Sequence, residues 1–165
     1  MNRYAIVPGR SWIRAEARSS LHPVRMETAG LQGFLEAEIS GGEVRLGTAA
    51  HIDLAVELLK TDHSILDAEL QRRLEARRYP RIEGDLRAVT ALGGGRWRLQ
   101  GELSLHGVRK SLEVEVGATE RDGALELAGE KAIDMRDFGL QPPRLLFLRV
   151  EPQVRIRALL VARPG

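Results

Sequence analysis

The sequence predicts an all-β domain, an eight-stranded antiparallel barrel with one inserted amphipathic helix. Three observations predict it. Apolar and polar residues alternate in segment after segment, which makes strands that are wet on one face and dry on the other. Glycine-rich turns separate these segments at hairpin spacing. One stretch alone changes period: Leu66, Leu70 and Leu74 recur every four residues, with charged residues between them, as on the face of a helix.

The elements follow in order. Residues 11–18 alternate Ile13, Ala15 and Ala17 against Trp12, Arg14, Glu16 and Arg18. Residues 31–39 repeat the pattern with Leu31, Gly33, Leu35, Ala37 and Ile39, and the chain turns at Ser40-Gly-Gly-Glu43. Residues 51–58 set Ile52, Leu54, Val56 and Leu58 on one face. The helix is expected over residues 64–77, with Ser64 as its cap, Asp67 in its first turn and Tyr79-Pro80 as its stop. Alternation resumes with Ile82, Gly84, Leu86 and Ala88, then turns at Gly93-Gly-Gly95.

The next pair is the clearest. Trp97, Leu99, Gly101, Leu103 and Leu105 share a face, His106-Gly107 makes a tight turn, and Leu112, Val114 and Val116 return. Glu120-Arg-Asp-Gly123 closes another hairpin before Leu125, Leu127, Gly129, Lys131 and Ile133. Asp137-Phe-Gly-Leu-Gln-Pro-Pro143 reads as an irregular turn, because its prolines exclude regular structure. Val154, Ile156, Ala158 and Leu160 complete the eighth strand.

The 165 residues suit a single domain spanning 1–165 with a sizeable core. The net charge of +2 does not point to nucleic acid, and the chain has no cysteine for a disulfide or a thiol nucleophile. The first residues carry no apolar run followed by a small-residue cleavage site, and no membrane-length apolar stretch occurs, so a cytoplasmic protein is expected. Aromatics make up only 4 %, so leucine, valine, isoleucine and alanine must fill the interior or leave it partly empty.

Catalysis has no visible carrier, and the expectation is a protein that is not an enzyme. His22, His51, His63 and His106 lie far apart, without the short spacing of a metal site. Asp134 and Asp137 suit acceptance of backbone amides in a turn better than paired acid–base work. Gly93-Gly-Gly95 lacks the lysine and the following helix of a phosphate loop. Arg72, Arg73, Arg77, Arg78 and Arg81 form a basic cluster interrupted by Glu69, Glu75 and Glu83. A solvated helix face is the default reading there, with transient contact to an anionic membrane surface or weak nucleic-acid contact as the alternatives.

Motif order adds to this. Ser19-Ser20, Gly30-Leu-Gln-Gly-Phe34, Leu66-Asp-Ala-Glu-Leu70 running into Tyr79-Pro80, Gly101-Glu-Leu-Ser-Leu-His-Gly107 and Asp137-Phe-Gly-Leu140 follow one another at characteristic spacing. With them the chain resembles the YceI-like family, the lipocalin-like polyisoprenoid-binding proteins, over nearly its whole length. The resemblance implies a helix-capped barrel around an apolar channel that binds a long isoprenoid or similar amphiphile non-covalently. One departure stands out: Gly84 occupies a place where the family commonly has a bulky aromatic.

Small inward residues (Ala15, Ala17, Gly33, Ala37, Gly84, Ala88, Gly101, Gly129 and Ala158) cannot fill a barrel centre by themselves, which agrees with a cavity. The expected lining is Ile13, Ala15, Leu35, Leu54, Leu70, Leu86, Leu99, Leu103, Val114, Phe138 and Ile156. No metal is expected, and no cofactor beyond a bound isoprenoid or other long-chain lipid. The alternative is a filled barrel, a stress-related or interaction protein working through its surface. Outward Trp12, Phe34 and Leu159 would serve such surface contacts, including homodimerisation.

Overall fold

The computed structural model describes residues 1–145 and 147–165. The strands are β1 (Asn2–Ile6), β2 (Trp12–Ser19), β3 (Val24–Thr28), β4 (Gln32–Ser40), β5 (Glu43–Ala55), β6 (Lys60–Thr61), β7 (Arg81–Gly93), β8 (Arg96–Leu105), β9 (Val108–Arg121), β10 (Ala124–Asp134), β11 (Arg144–Leu145) and β12 (Leu148–Pro164). The helix α1 (Ser64–Leu74) lies between β6 and β7.

These strands make a closed antiparallel barrel of eight, because three barrel strands are broken in the middle. β1 and β2 run end to end along one edge of β12, paired through Ile6↔Ala162 and Trp12↔Leu159. β4 and β3 flank them in turn, and β5 and β6 flank those. The ring continues β5, β7, β8, β9, β10, β12, and closes where β12 returns to β1.

Buried Ser11 mends the first break. Its hydroxyl donates to the Val161 carbonyl at 3.2 Å and accepts the Val161 N–H at 2.9 Å, replacing ladder bonds that the interruption removes. The short segments Asn2–Ile6 and Val24–Thr28 carry too little alternation to be read from sequence, and they extend the predicted first and second strands.

The hairpin chemistry follows the predicted turns. His106 and Gly107 have φ of 55° and 72°, and Asp122 and Gly123 have 52° and 79°. Two consecutive positive-φ residues make the turn whose twist matches the flanking strands.

Four local readings are corrected. In β7, Leu86 pairs with Gly101 but Ala88 pairs with Gln100, so Arg87 is an extra residue and the faces exchange. Val89 therefore points inward opposite Leu99, and Ala88 points out. After β5, residues Val56–Leu58 wind into a 3₁₀ turn that buries Val56 and leaves Leu58 46 % exposed. The helix stops at Leu74 rather than at residue 77, because Glu75 adopts a left-handed conformation while the Glu75 and Ala76 amides bond back to Arg72 and Gln71. The residue at its N-terminal boundary is His63, which makes no side-chain cap, and Ser64 is already helical.

The core divides by height. At one end Tyr4, Ile6, Leu31, Leu46, Leu125 and Ala162 pack together. At the helix end Leu54, Val56, Leu70, Leu74, Leu105, Phe138 and Leu140 form the plug. A third group, with Ala15, Ala17, Val24, Leu66, Val150 and Val154, seats α1 against β2, β3 and β12.

Candidate functional site

At the barrel waist an apolar cavity of about 210 Å³, partly open at its edge, borders the first of these clusters. Its lining comes from seven strands and includes Leu35, Ala50, Ile52, Gly84, Leu86, Leu99, Gly101, Leu103, Leu112, Val114, Leu127 and Leu160. Glu36, Asp85 and Glu102 also border it, but alternation gives their side chains to the outer face, where Asp85 bonds His51 and Glu102 meets Arg87 and Arg109. The space offered to a ligand is therefore hydrocarbon on nearly every side. A cavity of about 150 Å³ with such a lining already accepts a benzene-sized guest.

Of the residues expected to line the site, Leu35, Leu86, Leu99, Leu103 and Val114 meet in this cavity. Leu54, Leu70 and Phe138 sit in the helix-end plug. Ala15 and Ile156 belong to the group beneath α1, and Ile13 packs against both end clusters. The lining residues not singled out from sequence are Leu46, Gly47, Ala50, Ile52, Leu112, Leu127 and Leu160. All except Leu46, Gly47 and Ala50 appeared in inward alternating sets, but alternation carries no information about height along the barrel.

A broader concave surface of about 1120 Å³ lies outside, across β2, β3, β10 and β12. Arg14, Arg25 and Arg155 there pair with Glu27, Glu16 and Glu130. It is a charged sheet face, and the apolar waist is the better ligand site.

The plug is held by polar ties. His106 at the β8–β9 turn places Nδ1 3.1 Å from the Phe138 carbonyl and Nε2 2.6 Å from the Glu75 carboxylate. The Tyr79 ring meets the same imidazole edge-on, with centroids 5.2 Å apart. One side chain thus joins a hairpin, the helix C-terminus and the turn after β10. At the helix start Asp67 accepts hydrogen bonds from the hydroxyl and N–H of Thr61. Partial burial raises the Asp67 pKa, but those bonds and nearby Lys60 and His63 outweigh it and leave the carboxyl below its ordinary range. Glu69, buried beneath the helix, accepts from Arg72 and Arg73, which hold its carboxyl low as well.

The basic cluster read from sequence is largely paired: Arg72 and Arg73 with Glu69, Arg78 with Glu75, and Arg81 with Asp53. The outward aromatics are covered too. Arg14 stacks over Trp12 at 4.0 Å and Arg3 over Phe34 at 3.9 Å. No helix among the described residues is long and apolar enough to cross a membrane.

Known proteins bear on this geometry. The fold is similar to Burkholderia cenocepacia BcnA, with a TM-score of 0.79 at 14 % identity over 94 % of this chain and 98 % of that one. It is similar to a polyisoprenoid binding domain from Saccharophagus degradans implicated in plant cell wall breakdown, with a TM-score of 0.77 at 12 % identity over the full length of both. A Campylobacter jejuni YceI protein aligns with a TM-score of 0.64 at 12 % identity over 82 % of this chain and 81 % of that one. No curated protein matches the sequence. At these identities the structural likeness speaks for the fold, a closed barrel of the lipocalin-like kind. The sequence itself matches the model of the YceI-like domain across residues 4–162, which takes in every strand of the ring, and the chain belongs to the YceI-like family.

Proposed function

We propose that this barrel binds a long-chain apolar amphiphile non-covalently, and so carries or stores a polyisoprenoid, an isoprenoid quinone or a fatty-acid-like lipid. The observation that carries the reading is the hydrocarbon-lined cavity at the waist. Membership of the YceI-like family and the fold shared with a polyisoprenoid binding domain support it. The driving force is burial. Each methylene removed from water contributes about 0.8 kcal/mol, so a ten-carbon segment supplies roughly 8 kcal/mol against the entropic costs of association. Binding rather than catalysis is the role this lining suits, since leucine, valine, isoleucine, alanine and glycine side chains supply neither nucleophile nor base. A surface-acting filled barrel has less to recommend it, because arginines cover Trp12 and Phe34.

The test is to narrow the waist. Leu103→Trp and Val114→Trp are expected to abolish uptake of an apolar fluorescent probe while far-UV circular dichroism keeps its strand signature. Native mass spectrometry of the wild-type protein should show a lipid adduct that organic extraction removes. Unchanged probe affinity in both folded variants would refute binding at the waist.

A further inference from the structure

Among the described residues, Glu75, His106 and Asp122 adopt a left-handed backbone without being glycine. Asp122 belongs to its hairpin turn, but Glu75 and His106 face each other across the helix end of the barrel, Oε2 lying 2.6 Å from Nε2. Glu75 stands there against local preference. It ends α1 with φ of 51°, where glycine or asparagine is usual, and it sets a carboxylate at the negative end of the helix dipole. Its bond to His106 is what that placement obtains.

The atoms around the imidazole specify its charge. Nδ1 lies 3.1 Å from the Phe138 carbonyl, and Nε2 meets the Glu75 carboxylate. Both oxygens are acceptors, so each nitrogen has to donate, and only the imidazolium carries two N–H groups. A neutral ring keeps one donor and turns a lone pair toward the other oxygen. Water cannot easily take over, because the His106 side chain is only 15 % exposed and the Tyr79 ring covers it edge-on.

The charged neighbours leave the proton to Glu75, which is the one carboxylate within 4.0 Å of the ring nitrogens among the described residues. From the end of α1, Arg78 approaches the other Glu75 oxygen at 3.9 Å and lies over the Tyr79 ring at 5.1 Å. From the turn Met135–Phe138 the ring meets backbone; Arg136 closes on Asp134 at 2.7 Å, and Asp137 forms no ion pair with the imidazole. On β9, Arg109 is drawn to Glu102 and Ser104, and Lys110 is exposed.

We propose that His106 is a proton-operated latch on the helix-capped end of the barrel. Protonated, it ties the β8–β9 turn both to the end of α1 and to the turn after β10, around buried Leu74, Leu105 and Phe138. As pH rises and the ring loses its second donor, one tie is lost and the cap loosens. The stabilisation is therefore complete on the acid side of the imidazole titration and disappears on the alkaline side. The latch acts with the waist filled or empty, so it stands apart from the binding role.

The experiment follows hydrogen exchange of the amides of residues 70–74 in the full chain, as protection relative to the intrinsic exchange rate. Nitrogen-15 NMR of the imidazoles runs alongside, with the His106 signals assigned by their loss in His106→Asn. Between about pH 5 and pH 8, protection in the wild-type protein is expected to fall about tenfold, in step with the His106 titration. Both His106 ring nitrogens should carry protons at the acid end. Glu75→Gln should keep the acid-side protection and abolish the fall, since an amide offers its oxygen to the imidazolium and its NH₂ to the neutral ring. His106→Asn, which tolerates the left-handed turn, should show the loosened level throughout. A His106 ring that is neutral at the acid end, or protection that does not follow its titration, would overturn the latch. So would a wild-type step retained in either variant, which would assign the pH response to His22, His51 or His63.

Discussion

Gly84→Leu should stabilise the barrel and empty it of ligand in one step. The glycine lies on β7 between Ile52 and Leu103, on the lumen face, and its φ is outside the left-handed range. A Cβ there would find nothing nearer than the Glu102 carbonyl, at 4.0 Å, so the first carbon is accommodated and the rest of the side chain is directed into the cavity. Three effects share a sign. Replacing glycine within a strand removes unfolded-state entropy worth about 0.5–1 kcal/mol. Burying an isobutyl group gains about 1.5–3 kcal/mol. The shrinking void returns a further part of its cost. Allowing for imperfect side-chain fit, a net gain of about 2–3 kcal/mol is expected. At roughly 2–4 °C per kcal/mol for a chain this long, Tm should rise by about 4–12 °C. Urea unfolding, with m unchanged, measures the stability, and titration with an apolar probe measures the cavity. A variant that is less stable than wild type and binds the probe as before would refute the placement of empty space beside Gly84.

Phe138→Ala removes a side chain only 1 % exposed from the helix-end plug and should cost about 3–5 kcal/mol, read as a urea midpoint shift. Because the Phe138 carbonyl rather than its ring holds His106, probe release should change little; a faster release without stability loss would make the ring a gate instead. Acid should loosen α1 first. Asp67 and Glu69 have folded-state pKa values below their ordinary 3.8 and 4.5, so their stabilisation is complete above those values and is lost as pH falls through the lower folded ones. Glu69→Gln should flatten that acid limb, as followed by helix circular dichroism between pH 5 and 2.

Period-two patterning made the barrel legible because an antiparallel sheet with one wet face writes itself into alternate residues. Turn chemistry fixed the hairpins, since His106-Gly107 and Asp122-Gly123 accept the positive φ that few other pairs tolerate. Bulges were not legible. Nothing in Leu86-Arg-Ala-Val89 announces that Arg87 is extra, yet that one residue reverses which of Ala88 and Val89 faces the lumen. The site was half legible for a related reason. Leu54 and Leu103 look alike in sequence, and only the stagger of the strands sends one into the plug and the other to the waist.

The inward glycines do not all act alike, and the difference identifies what keeps the waist open. At Gly33, with φ of 136°, a Cβ would fall 2.0 Å from the His51 carbonyl oxygen, and at Gly101 it would fall 2.4 Å from that of Asp85. Both glycines serve close approach of neighbouring strands. Gly129 is crowded by Val116. Gly84 alone of these four faces open space. An unfilled apolar pocket of about 210 Å³ leaves its lining without packing partners, a cost that matters in a domain held together by only about 5–15 kcal/mol. A single larger side chain at Gly84 would recover much of that. A barrel needed only for its surface has no use for the vacancy, whereas a tail seated against Leu99, Leu103 and Leu127 offsets its cost each time it binds.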